Sequence, residues 1–243
     1  MKNTIQKSIL FVAILAGVFG TTDAFAMSTT WDVTSSGGGV YSGSGFGNTL
    51  TYTSDAEKLI VSSYADTGAG AAFETGKVTA WSVGLGTCNQ AEGLYCGNPE
   101  HQVDNAGQHD WVLFLTNYTT SFDSITIDPY GTWDRDVSYW IGTINPSLDL
   151  SGYSYGDLAG LGFGAENQID NSPSYQAITL ALNGDVGNAL LIGAQTGDQH
   201  CDIDRFKIRD LTTTPSSTVP EPATLMLFGT GLVGLIRSRR KNA

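Results

Sequence analysis

Between residues 27 and 211 the chain has no long segment with apolar residues at the 3.6-residue helical spacing. It has short runs rich in β-branched and aromatic residues instead: Lys58–Tyr64, Lys77–Val83, Trp111–Leu115, Ser124–Ile127, Val137–Ile141, Tyr175–Leu182, Ala189–Ile192 and Arg205–Arg209. Several alternate at or near period two, as half-buried strands do. Turn-forming stretches separate them, among them Ser36–Gly39, Gly97–Pro99, Asn183-Gly184 and Gly197-Asp198. Glycine fills 30 of 243 positions, well above the usual share of about 7%. Asn183-Gly184 between two apolar runs predicts a tight hairpin. The pattern predicts an all-β domain over residues 27–211, a single antiparallel β-sandwich of jelly-roll-like form.

Both ends read as addresses. Lys2 and Lys7 precede an apolar stretch from Ile9 to Phe19, and Ala24-Phe25-Ala26 is a small-x-small cleavage site. Residues 1–26 are therefore expected to be a secretory signal, with the mature chain starting at Met27. At the other end, residues 212–218 (Thr-Thr-Thr-Pro-Ser-Ser-Thr) read as a polar linker. Val219-Pro220-Glu221-Pro222 follows, then an apolar run from Ala223 to Ile236, then Arg237, Arg239, Arg240 and Lys241. The run predicts a transmembrane helix over 223–236 held by its basic end on the cytoplasmic side. Its length of about 21 Å falls short of a hydrocarbon core of about 30 Å. Such a helix is a marginal anchor.

Residues 219–243 resemble the PEP-CTERM sorting signal of Gram-negative bacteria, which also carries the label ice-binding protein C-terminal domain. The resemblance implies transient residence in the inner membrane and processing near Pro220-Glu221-Pro222 by an exosortase, a membrane transpeptidase. Secretion or cell-surface display by way of the periplasm would follow. The label does not imply ice binding, and no Thr-x-Thr array runs through the chain: Leu50–Thr53 and Ile125–Ile127 are isolated. A second resemblance, spanning roughly residues 78–208, rests on Val78–Gly86, Pro99–Asn105, Asp110–Phe114 and Gly131–Trp140. These stretches are similar to a group of exosortase-dependent surface proteins, which implies export and names no ligand or catalytic residue.

Charge narrows the partners. The net charge is −12, which argues against nucleic acid. The expected exported part is more acidic still, with 22 carboxylates against six bases between Met27 and Thr218. Hard divalent cations favour carboxylate oxygens, so calcium is the expected cofactor if the domain takes one. The densest polar stretch runs from Asn98 to Asp110, where Glu100 and Asp104 are the leading calcium candidates and His101, His109 and Asp110 widen the set. No spacing there matches a zinc signature. Asp134 and Asp136, at alternate positions around Arg135, share one face of an extended segment. Residues 201–208 resemble the last strand of extracellular jelly-roll modules, which implies a structural calcium ligand at Asp202 or Asp204. Seven residues separate Cys88 from Cys96, a pair expected to form a disulfide in an oxidising compartment. Cys201 is left over.

Nucleophile-elbow, zincin and phosphate-loop motifs are all missing. The expectation is a non-enzymatic surface or matrix protein of a bacterium that makes exopolysaccharide. The alternative is a calcium-stabilised carbohydrate-binding module, for which Trp133, Tyr139, Trp140, Tyr153 and Tyr155 would have to supply exposed stacking faces. A glycoside hydrolase stands third, because it needs a pair of acids about 5–10 Å apart in a cleft.

Overall fold

A computed structural model describes residues 27–67, 72–95, 101–129, 131–197 and 203–216. The signal segment, the Pro-Glu-Pro tail with its apolar run, Cys96, Glu100, Cys201 and Asp202 lie outside the described residues. In chain order the strands are β1 (Thr29–Asp32), β2 (Val40–Ser42), β3 (Thr49–Ser54), β4 (Glu57–Asp66), β5 (Phe73–Thr75), β6 (Lys77–Trp81) and β7 (Gly84–Cys88). Then come β8 (Val103–Asp104), β9 (Asp110–Asp128), β10 (Val137–Gly142), β11 (Asn167–Ile169), β12 (Ile178–Ala181), β13 (Val186–Ala194) and β14 (Arg205–Pro215). A short helix, α1 (Leu158–Leu161), sits between β10 and β11. No helix among the described residues is long and apolar enough to cross a membrane.

The expected antiparallel sandwich is what forms, and β9 builds it. The first half of this 19-residue strand pairs with β4 on one edge and β13 on the other. The second half pairs with β14 and β12 instead. One sheet therefore runs β2-β3-β4-β9-β13-β10-β11, with β5 beside the end of β4. The other runs β12-β9-β14, and beyond β14 lie β1, β8 and β7, the last paired with β6. All of these pairings are antiparallel. Trp111–Leu115 and Ser124–Ile127 are thus one strand: the polar stretch between them stays extended across an irregular register, with Thr116 opposite Leu59 and Thr120 and Ser121 opposite Gly187 and Val186.

Side-chain alternation then fixes the cores. From the first sheet Leu59, Val61, Val112, Phe114, Tyr139, Leu190 and Ile192 point between the sheets. From the second sheet Phe122, Ile125, Ile127, Phe206, Ile208 and Leu211 meet them. Inward positions on β9 change from even to odd between Phe122 and Ile125, and those on β14 shift between Ile208 and Leu211. Irregular register between Ile208 and Asp210, and again between Thr212 and Thr213, accounts for the change. An added residue in a ladder swings later side chains to the other face.

The first sheet is buried on its outer face as well. Trp111, Leu113, Trp140 and Leu191 pack there beneath residues 143–166, with Leu150, Leu158 and Phe163 coming down from that excursion. Asn188 pins it, accepting from the Ile144 N–H at 2.8 Å and donating to the Ile144 carbonyl at 2.9 Å. At the base, the backbone of Gly162–Phe163 lies so close to Gly142 that a Cβ there would collide with it.

Two boundaries differ from the sequence reading. Thr212–Pro215, which the sequence predicts to begin a linker, continue β14 in register with β9, and Thr212 and Thr213 pair with β1 on the other edge. Thr213 is fully buried and accepts from the Trp31 indole at 3.0 Å. The pattern hid this because a threonine facing a core looks like a linker threonine until its partner is known. Asn183-Gly184 makes no hairpin. β12 and β13 both run antiparallel to β9 along the same edge, one after the other, and the dipeptide sits in the break between them.

Lys207 is the unusual member of β14. It is almost fully buried, its Nζ lies 4.4 Å from the centroid of the Trp81 ring, and it pairs in register with Asp128. Burial pushes its pKa down to about 8, only partly opposed by the charge of Asp128. The unfolded chain keeps its proton to about pH 10.4, so it binds more protons than the folded chain above pH 8. The burial penalty is therefore present in full below pH 8 and is relieved as the pH rises. Denaturant titrations should show stability rising by about 2 kcal/mol between pH 8 and 9.5, and Lys207→Met should flatten that rise. An equal rise in the variant would assign it to other groups.

Candidate functional site

The sandwich brings two acidic clusters to the end where β8 meets β14. In the first, Glu92, Asp104 and Asp110 place one oxygen each within 4.8 Å of one another. They come from the turn after β7, from β8 and from the first residue of β9. The turn is built by a reciprocal cap: the Asn89 N–H donates to Glu92 Oε2 at 3.0 Å and the Glu92 N–H donates to Asn89 Oδ1 at 3.1 Å. That exchange satisfies two turn amides at once, as a capping box does. Asn89 then donates from Nδ2 to Asp110 Oδ1 at 3.2 Å. Asp104 Oδ1 accepts the Ala106 N–H at 2.9 Å, and Asp104 Oδ2 lies 3.7 Å from Arg205 Nε. Asp104 and Asp110 are both fully buried. Burial, followed by the charges of Asp104 and Glu92, pushes the Asp110 carboxyl well above the usual carboxylate range.

The second cluster is Asp134, Asp136 and Asp204, again within 4.8 Å. Three of the residues singled out for calcium therefore converge, two from the segment before β10 and one from the position before β14. Their oxygens are drawn into the local backbone. Asp134 Oδ1 accepts the Arg135 N–H at 2.9 Å, Asp136 Oδ1 accepts the Asn171 N–H, and Asp204 Oδ1 accepts the Asp136 N–H at 2.9 Å. Asp204 Oδ2 accepts from Asn105 Nδ2 at 2.9 Å. This network ties three loops together. Arg135 turns away from the acids, and its guanidinium donates to the carbonyls of Ser172 and Gln176.

The sequence candidates thus divide. Asp104 joins Glu92 and Asp110, while Glu100 and Asp202 lie outside the described residues. Glu92 was missed as a ligand candidate, although Asn89-x-x-Glu92 carries the capping spacing that marks a built turn. The histidines do not converge with these acids among the described residues. His101 packs against the Trp81 ring at 4.8 Å, and His109 Nδ1 lies 3.6 Å from Asp66 Oδ2. Cys88 is buried at the end of β7.

The five aromatics proposed as a sugar platform do not form one face. Tyr139 and Trp140 are buried, one in each core. Tyr155 closes the outer core by donating to Asp66 Oδ2 at 2.6 Å and accepting from the Trp111 indole at 2.9 Å. Trp133 is covered by the Arg205 guanidinium, 4.7 Å from its ring centroid. Tyr153 alone of the five is exposed. A groove of about 280 Å³ lies between the first sheet and the excursion, lined by Ile60, Tyr64, Leu113, Leu115 and Leu148. Its single carboxylate, Asp149, accepts through Oδ1 from the Ser151 N–H and hydroxyl.

Among solved structures the chain is similar to wild-type discoidin II from Dictyostelium discoideum, at 13% identity over 44% of this chain and 38% of that one, with a TM-score of 0.26. The present chain thus spans well under half of that protein. It is similar also to the C-terminal domain of a chitobiase from Bacteroides fragilis, at 11% identity over 60% of this chain and 95% of that one, with a TM-score of 0.30. No curated protein matches it. Residues 218–241 match the PEP-CTERM protein-sorting motif, so the chain carries at its C-terminal end the sorting motif that those residues resemble.

Proposed function

We propose that the protein is a non-enzymatic component of the bacterial surface or extracellular matrix, carried out by its signal segment, processed at Pro220-Glu221-Pro222 and associated with exopolysaccharide. The sorting motif at residues 218–241 carries this reading. The domain offers it a suitable body. Its acids gather into buried or hydrogen-bonded clusters, and four of its five candidate stacking aromatics serve packing, hydrogen bonding or an arginine contact. As a helix, the apolar run Ala223–Ile236 would reach about 21 Å and hold a precursor in a membrane only marginally, which suits an anchor that is later cut away.

Processing makes a direct prediction. Protein recovered from the cell surface should yield no peptides from Leu225–Ile236, and Glu221→Ala should leave the precursor in the inner-membrane fraction. Mass spectrometry of the two fractions checks both. Released protein that still contains Leu225–Ile236 would overturn the reading.

Oxidising export favours a disulfide between Cys88 and Cys96. The chain leaves β7 at Cys88 and returns at His101, whose carbonyl presses on Gly86 two residues earlier in the same strand. The intervening loop is therefore closed at its base, and Lys77 Nζ holds its Leu94 carbonyl at 2.8 Å. Closing so short a loop is worth roughly 2–3 kcal/mol in the chain-entropy description. Alkylation of the denatured, unreduced domain should label Cys201 alone. Three labelled thiols per chain would refute the pairing.

A further inference from the structure

We propose that Glu92, Asp104 and Asp110 form a calcium site that ties the turn after β7 to the first sheet. Three segments far apart in sequence deliver these carboxylates to within 4.8 Å of each other. Such a gathering repels itself unless something positive joins it. Arg205 Nε stands 3.7 Å from Asp104 Oδ2.

The independent observation is an oxygen. Asp110 is fully buried, and its Oδ2 has no hydrogen-bond partner among the described residues. Its other oxygen accepts from Asn89 Nδ2 at 3.2 Å, and the same carboxylate belongs to the cluster. A buried carboxylate oxygen left without a donor is costly. A cation ligated there removes that cost and the repulsion together.

The donor set selects the cation. Among the described residues the cluster offers carboxylate oxygens, hard ligands that suit calcium or magnesium better than zinc or copper. Calcium accepts six to eight oxygens in irregular arrangements, whereas magnesium demands a near-octahedral shell and gives up water reluctantly. Two rigid buried carboxylates and a half-buried one on a turn suit the more tolerant ion. Glu92 is on the solvent side of the cluster, which supplies an entry path and room for water ligands.

The test uses residues 27–217, the compact unit that contains both cores, stripped with chelator and titrated with calcium chloride. Calorimetry should find one site per chain. A hundredfold excess over the dissociation constant should raise Tm by on the order of 5–10 °C. Magnesium should do less, and sodium chloride at matched ionic strength should do nothing. Asp110→Asn keeps the shape and removes a charge, so it should melt at or above the stripped wild type and show no calcium response. Glu92→Gln, at the more exposed ligand, should fold normally and weaken binding at least tenfold. Asp136→Asn, in the other acidic cluster, should leave the response intact. A wild-type domain that responds to calcium no more than to sodium chloride overturns the proposal and assigns the cluster a shared proton. A response that survives Asp110→Asn but vanishes in Asp136→Asn overturns it too, and moves the ion to Asp134, Asp136 and Asp204.

Discussion

The backbone ladder of β9 is the interaction on which the rest of the architecture depends. A 19-residue strand that belongs to two sheets must satisfy its amides with four different partners, two along each half. Buried amides without partners are expensive, so the placement of β4, β12, β13 and β14 follows once β9 is in place. Their inward side chains then meet across the sandwich, and the shift from even to odd positions keeps both halves of β9 facing one core. The excursion between β10 and β11 is a consequence of the same strand. Because Trp111, Leu113 and Leu115 alternate with Val112 and Phe114, the first half of β9 is apolar on both faces and requires a cover on each.

Charge is handled in a similarly local way. Each buried ionic group sits where a strand end or a turn can reach it: Lys207 against the Trp81 face, Asp204 under the amides of Asp136 and the side chain of Asn105, Arg135 under loop carbonyls. These contacts bind loops to strand ends at one end of the sandwich. They explain how a domain with 22 acids and six bases keeps several of its charges inside. At Asp110 one buried carboxylate oxygen has no hydrogen-bond partner among the described residues.

Much of this was legible beforehand, and the failures have physical reasons. The class of fold could be read because period-two alternation survives in β4, β10 and β13, where one or both faces are buried. β9 was read as two strands because its middle is polar, and hydropathy does not report which backbone amides stay paired. Thr212–Pro215 failed for the same reason in reverse, since a short hydroxyl chain suits a core edge as well as a linker. Among the acids, the pairing of Asp134 with Asp136 was visible at spacing two, and Asp204 was picked out by its place before the last strand. Glu92 was not, because what brings it to Asp104 and Asp110 is the path of the chain around the turn after β7, which no local pattern encodes.

β14 is the last strand among the described residues and lies inside the second sheet, with β9 on one edge and β1, β7 and β8 on the other. The second sheet therefore has no interior until residues 205–215 are available, and the earliest strand, β1, waits for a partner made almost 180 residues later. Contacts of such long sequence separation form slowly. A chain threaded outward from its N-terminus would stay open through nearly its whole passage, and would close only when its final segment arrives. The topology makes closure of the second sheet conditional on the segment that is made last.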